Sequence, residues 1–104
     1  MKESTLKMNL VKRDNEAEIS LIGWLDATNA PEVDKLLLDA VAGHDSLVLD
    51  MEGLAYVSSA GLRAFKHAYT EMQKKGGTLS AKNAGEVVQD VLKVTGFARM
   101  FKMI

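Results

Sequence analysis

The sequence contains no cysteine, a single proline and only 6% aromatic residues. Without cysteine, disulfides and thiol chemistry are excluded. No apolar run approaches the ~20 residues that a membrane-spanning helix needs. The first residues, Met1 to Thr5, lack the apolar segment of a signal peptide. These absences lead us to expect a cytoplasmic protein that is not associated with a membrane.

The composition that remains is typical of an ordinary globular protein. The 104 residues are 47% hydrophobic and 26% charged, which suffices for one domain with its own core. We therefore expect a single domain over residues 1–104. The formal net charge of −1 favours neither nucleic acid nor an acidic membrane as a partner.

The first half of the chain predicts a β-hairpin followed by a helix. Alternating apolar residues predict strands at residues 8–13 and 17–25, and the turn residues 14–16 between them favour an antiparallel hairpin. Apolar residues then recur at helical spacing over residues 33–41. We expect this helix to begin at the N-cap Asn29 and to end at about Gly43.

The second half of the chain predicts short strands that alternate with helices. Strands are expected at residues 47–51 and 78–82, a loop at residues 52–57, and a helix over residues 60–75. Because right-handed crossovers make the strands they join parallel, the predicted fold is α/β. It is a small mixed β-sheet, with an antiparallel N-terminal hairpin plus parallel strands, packed with helices.

A third helix is expected after the strand at residues 78–82. Asn83 is predicted to cap it and Gly96 to end it, and residues 97–104 are expected to form a final strand or a docked tail. The apolar residues expected to face the core from this helix are Val87, Val88, Val91 and Leu92.

Two adjacent serines, Ser58 and Ser59, stand where the predicted loop enters the helix at residues 60–75. A serine hydroxyl at this place often accepts a hydrogen bond from an unpaired N–H of the first turn. The helix start also stabilises an anion, typically by ~0.3–1 kcal/mol. The serines therefore predict either an ordinary helix cap, the commoner outcome, or a phosphorylation site that the small neighbours Ala60 and Gly61 leave accessible.

The other candidates for a site are isolated residues. Asp26 and Asp50 each end a predicted strand, where binding sites collect in α/β sheets but where turns also favour Asp. Trp24 is expected to pack in the core, and the alternative is an exposed anchor for a partner.

Catalytic constellations are weak in this sequence. The two histidines, His44 and His67, are expected at the surface, and neither has a companion at a metal-ligand spacing. Ser59, His67 and Asp50 do not predict a catalytic triad, because His67 lies two helical turns beyond Ser59 and points away from the helix start. We expect neither an enzyme nor a bound cofactor or metal.

Four segments along the chain are similar to the motifs of one known domain family. Gly23-Trp24-Leu25-Asp26 is similar to the family's Gly-x-Leu-Asp element, and residues 48–54 to its central strand and loop. Ser59-Ala60-Gly61-Leu62 resembles the signature Asp-Ser-(Ser/Thr/Ala)-Gly-Leu, and Gly96-Phe97 a pair near the family's C-terminus. Over nearly its whole length the chain thus resembles the STAS domain, and specifically the small bacterial anti-sigma factor antagonists.

The resemblance implies a regulator of transcription. In the family, the unphosphorylated protein binds an anti-sigma factor that is also a serine kinase, and a sigma factor is freed. The kinase phosphorylates the serine that corresponds to Ser59, the complex separates, and a metal-dependent serine phosphatase restores the active form. The residues expected to contact the partner are Asp26, Asp50, Ser58, Ala60, Gly61, Leu62 and Arg63.

One residue departs from the family signature. Ser58 stands where the family has an aspartate before the phosphoserine, which removes a carboxylate and makes Ser58 a rival phosphate acceptor. Some family members are not phosphorylated. The alternative function is therefore a non-phosphorylated STAS binding module, either a scaffold or a transporter-associated subunit. In both cases we expect a monomer.

Overall fold

The structure, a computed structural model, describes residues 5–104. Residues 1–4 lie outside the described part, and with them most of the segment in which the sequence predicts no signal peptide. The strands are β1 (Leu6–Arg13), β2 (Glu16–Leu25), β3 (Ser46–Asp50), β4 (Leu54–Val57), β5 (Thr78–Lys82) and β6 (Lys102–Met103). The helices are α1 (Ala30–Gly43), α2 (Ser59–Lys74) and α3 (Glu86–Thr95), and a short 3-10 helix spans Phe97–Met100.

The strands form one mixed sheet in the order β1-β2-β3-β5-β6. β1 is an edge strand, antiparallel to β2, and the remaining pairs are parallel. β4 continues the sheet beyond the end of β3, where it pairs with the last residues of β2. The predicted α/β class, the N-terminal hairpin and the parallel strands are confirmed.

The core lies between the sheet and the three helices. Alternate strand residues are fully buried and join the apolar residues of α1, α2 and α3 in one cluster: Ala17, Ile19, Leu21, Leu47 and Leu49. Right-handed crossovers that advance in one direction across a sheet leave their helices on the same face. The opposite face, where Lys82 pairs with Glu18 at 3.2 Å, carries no helix of the described residues.

The prediction of a loop over residues 52–57 is wrong, because this segment contains β4. Only Leu54 and Val57 of this strand are buried, so it lacks the alternation that identifies a strand. It is extended because the end of β2 offers unpaired backbone groups. Gly23 donates its N–H to the carbonyl of Gly53 at 2.9 Å just before the pairing begins.

The predicted start of the third helix is also wrong. Gly85 is the N-cap of α3, whereas Asn83 has a left-handed backbone (φ 61°) and donates its side-chain amide to Asp50 at 3.1 Å. Val87 is exposed rather than buried, while Val88 and Leu92 face the core as expected. Gly96 ends the helix in a left-handed conformation that glycine adopts without strain.

The two histidines, His44 and His67, differ in their exposure to solvent. His44, expected at the surface, is only 8% exposed, and its Nδ1 donates to the carbonyl of Ala40 in the last turn of α1 at 2.9 Å. His67 is exposed as expected, and its Nδ1 lies 2.8 Å from a carboxylate oxygen of Asp34 on α1. The surface prediction fails for His44 because its ring turns back onto a helix carbonyl that has no partner within the helix.

None of the helices among residues 5–104 is both long enough and apolar enough to cross a membrane. The C-terminal residues 97–104, expected as a strand or a docked tail, form the 3-10 helix and the two-residue strand β6. Phe101 docks this segment edge-on against Phe65 of α2, with ring centroids 5.6 Å apart.

Candidate functional site

The junction between β4 and α2 resolves the roles of the two serines. Ser58 is the N-cap of α2, and its hydroxyl accepts the N–H of Gly61 at 3.4 Å. Its own N–H donates to the carbonyl of Leu25 at 2.9 Å, which ties the helix start to the end of β2. Capping is therefore the role of Ser58, and Ser59 is left as the first helical residue.

Ser59 is exposed, whereas Ser58 is half-buried. The hydroxyl of Ser59 makes no hydrogen bond to another of the described residues, so modifying it breaks no contact of the fold. The first turn of α2 contains no acidic residue that would repel an anion. A phosphate on Ser59 would therefore lie in solvent at the positive end of the helix dipole.

Gly61 brings the helix start into direct contact with the sheet. A Cβ atom at this position would lie 2.6 Å from Cγ of Leu25 and 2.8 Å from Cγ2 of Val57. Leu62 is buried beside it. The exposed Arg63 lies one turn after Ser59, and this spacing places both residues on the same side of α2. At the start of α2, Gly61 and Leu62 therefore face the core, whereas Ser59 and Arg63 face the solvent.

Asp26 lies beside this helix start, where it shapes the turn between β2 and α1. Its carboxylate accepts the N–H of Thr28 at 2.9 Å, and its own N–H donates to the side chain of Asn29 at 3.0 Å. Asn29 occupies the predicted N-cap position of α1 but makes no side-chain capping bond. Its amide instead donates to the carbonyl of Trp24 at 2.8 Å.

Asp50 lies apart from the helix start. It pairs with Ser20 in the sheet, six positions before Asp26 along β2, a separation of roughly 20 Å at ~3.3 Å per residue. Its carboxylate accepts the N–H of Glu52 and the amide of Asn83, each at 3.1 Å. Asp50 therefore holds the turn into β4, and the structure groups Asp26, but not Asp50, with the two serines.

The prediction that Trp24 packs in the core is wrong. Its side chain is 43% exposed, and its ring lies 5.1 Å from that of Tyr56, its partner in the β2–β4 pairing. Alternation along β2 already places Trp24 opposite the buried Leu25, and that signal identifies its exposure. Tyr56 has no distinguishing signal in the sequence and becomes significant only through the pairing of β4 with β2.

The residues of the rejected triad are not assembled. Ser59 and His67 lie two turns apart on α2, His67 contacts Asp34, and Asp50 is at another level of the sheet. Among residues 5–104 there is no group of three or more His, Cys, Asp or Glu that could hold a metal ion.

We expect Ser58→Ala to lower the free energy of unfolding by about 0.5–1 kcal/mol, the lower part of the range for a lost cap, because its hydrogen bond is long. Ser58→Asp, which replaces one good capping residue with another, should stay close to the wild type. Urea denaturation followed by circular dichroism measures both. Equal losses in the two variants would contradict a capping role.

The mixed sheet with its helices on one face and a serine at the start of the second helix define a known class of domain. The chain belongs to the STAS domain family, whose sequence model matches residues 7–104.

Among its relatives is BtrV of Bordetella bronchiseptica, which is named as an anti-sigma factor antagonist. The two chains are 29% identical over 97 residues, which cover 92% of this chain and 84% of BtrV.

Solved structures share the fold at lower sequence identity. An anti-sigma factor antagonist from Mycobacterium paratuberculosis superimposes with a TM-score of 0.84 and 21% identity, over 95% of this chain and 85% of that one. Unphosphorylated SpoIIAA, an anti-sigma factor antagonist, gives 0.80 and 18%, over 96% and 88%. The phosphorylated form of the Bacillus protein SpoIIAA gives 0.73 and 17%, over 96% and 91%.

Proposed function

We propose that this protein is an anti-sigma factor antagonist that binds a serine-kinase anti-sigma factor and thereby releases a sigma factor. Phosphorylation of Ser59 switches it off. The observation that carries the proposal is the difference between the two serines. Ser58 caps α2, whereas Ser59 is exposed and its hydroxyl makes no hydrogen bond to the described residues. The names of BtrV, SpoIIAA and the mycobacterial protein support the assignment.

Electrostatics explains how one phosphate acts as a switch. Phosphorylation adds about −1.5 to −2 charges at neutral pH. A partner that covers the start of α2 would have to strip water from this charge, which is costly unless the partner offers compensating groups. Because the Ser59 hydroxyl takes no part in the fold, the switch requires no rearrangement. This chain is similar to SpoIIAA in both its unphosphorylated and its phosphorylated form.

Ser58 changes the surroundings of the acceptor but not the geometry of the helix start. Serine keeps the capping function that the family's aspartate can supply, while the negative charge beside the acceptor is lost. The Ser58 hydroxyl is half-buried and already bonded to Gly61, which makes it the poorer acceptor. A kinase that acts on this protein would recognise Ser59 without help from a preceding carboxylate.

The proposal also includes the partners, the cellular location and the oligomeric state. The partners are the kinase and a metal-dependent serine phosphatase that removes the phosphate from Ser59. The protein acts in the cytoplasm as a monomer, without a catalytic activity or cofactor of its own.

The second candidate function is a non-phosphorylated STAS binding module, a scaffold or a transporter-associated subunit, and the absence of the aspartate at position 58 favours it.

Phosphate transfer is the direct test. The wild type, Ser59→Ala and Ser58→Ala are incubated with ATP and the serine-kinase anti-sigma factor of the same organism, and their intact masses are measured. We expect one added phosphate on the wild type and on Ser58→Ala, and none on Ser59→Ala. Loss in Ser58→Ala alone would move the acceptor by one residue.

Binding measured in the same samples separates the two candidate functions. The unphosphorylated wild type should bind the kinase, and the phosphorylated form should bind at least about tenfold more weakly, a change of ~1.4 kcal/mol. Tight binding without any phosphate transfer would instead support the non-phosphorylated module. If the wild type neither bound the kinase nor accepted phosphate from it, the proposal would be overturned.

A further inference from the structure

The two aromatic rings of Trp24 and Tyr56, together with the neighbouring Ile22, form an exposed patch next to the start of α2. We call these three side chains the aromatic patch. They are 37–43% exposed. Trp24 and Tyr56 are partners in the β2–β4 pairing, with ring centroids 5.1 Å apart and planes tilted by 36°. The neighbouring residues in this pairing, Leu25 and Val57, are buried on the helix side. The patch therefore points away from the core.

The backbone joins the aromatic patch to the serine site. Tyr56 lies two residues before the cap Ser58, and the N–H of Ser58 donates to the carbonyl of Leu25, next to Trp24. On the other side, the carbonyl of Trp24 accepts the Asn29 amide in the turn that contains Asp26. The position of the patch is thus fixed relative to Ser59 by two strands and two hydrogen bonds.

Exposed Trp and Tyr side chains are typical anchors of protein–protein interfaces. Both are large, rigid side chains that contribute strongly to binding when a partner removes them from water. Removing ~40% of three such side chains from water buries only about 200–300 Å² on this chain. A stable interface needs ~800 Å² per partner. The patch is therefore a fragment of a larger interface, and the surface continuous with it is the helix start with Ser59.

We propose, on the basis of the function proposed above, that the aromatic patch is the affinity anchor for the serine-kinase anti-sigma factor. The partner covers the start of α2 and the patch together, and offers an apolar pocket to Trp24 and Tyr56. The two parts of the interface have separate roles. The patch provides binding energy in the unphosphorylated state, and Ser59 provides the switch.

The patch variants are Trp24→Ala and Tyr56→Ala, and the control is Val94→Ala, an 86% exposed apolar residue on α3. The dissociation constant for the kinase should rise at least about tenfold in each patch variant and stay within about twofold in the control. In steady-state phosphorylation of Ser59, Trp24→Ala should raise KM and leave kcat unchanged. Circular dichroism confirms that each variant is folded.

Trp24 is the only tryptophan of the chain, so 5-fluorotryptophan labels the patch alone. Its ¹⁹F resonance should shift when the kinase is added, and should stay unshifted once Ser59 is phosphorylated. Unchanged binding by Trp24→Ala, with Ser59→Asp still preventing it, would overturn the anchor and leave the proposed function standing. A wild type that does not bind the kinase would overturn both. Loss of self-association alone in Trp24→Ala would make the occupant a second copy and would also overturn the anchor.

Discussion

Replacing Phe65 with alanine is expected to lower the free energy of unfolding by about 3–5 kcal/mol. Phe65 is fully buried on α2, and its ring meets that of Phe101 nearly at right angles. The substitution leaves a cavity beneath the sheet and removes the surface against which the C-terminal segment docks. Since domains of this kind have a total stability of about 5–15 kcal/mol, this is a large fraction.

Urea denaturation followed by far-UV circular dichroism measures this loss. Val94→Ala, on the exposed side of α3, is the control and should change stability by less than about 0.5 kcal/mol. The double variant with Phe101→Ala should lose less than the sum of the single losses, because the edge-on pair is coupled by about 0.5–1.5 kcal/mol. A loss below about 1 kcal/mol for Phe65→Ala would contradict its place in the core.

The helices α1 and α2 are predictable because their signal is local. Val33, Leu37 and Val41 repeat at helical spacing and all prove buried, as expected of an amphipathic helix that covers a sheet. The β1–β2 hairpin is predictable for the same reason, since the turn residues stand between two alternating runs. In these elements the residues that determine the structure are neighbours in sequence.

The failures concern residues whose environment comes from distant parts of the chain. β4 is a strand because β2 extends beyond β3 and can pair with it. Asn83 leaves the helix cap because the carboxylate of Asp50, 33 positions earlier, accepts its amide. No periodicity within a short window contains such information.

The site was predictable in chemistry but not in geometry. The pattern of small residues after Ser58 and Ser59 indicated an accessible serine at a helix start, and the structure places both there. Which serine caps the helix depends on the bend of the backbone between β4 and α2. Whether Asp50 joins Asp26 depends on the sheet register, which puts Asp50 level with Ser20.

Replacing Gly61 with valine is expected to be the most damaging change at the site, because it forces the start of α2 away from the sheet. Even a Cβ atom there would lie 2.6 Å from Leu25 and 2.8 Å from Val57, inside van der Waals contact. Overpacking of this kind costs about 1–3 kcal/mol, and we expect the upper end for valine. Gly61→Ala should cost less, since alanine regains up to ~1 kcal/mol of helix propensity.

The matched control is Gly43→Ala at the end of α1, where an added Cβ meets no atom within 4 Å. Thermal and urea unfolding of the three variants give their order of stability. Phosphorylation of Ser59 by the proposed kinase partner tests whether the start of α2 keeps its position. Gly61→Val should lose both stability and phosphate acceptance although Ser59 itself is intact, whereas Gly43→Ala should keep both. If Gly61→Ala kept its stability but lost phosphate acceptance, the glycine would serve the partner's approach and not the packing of α2, and the steric explanation would fail.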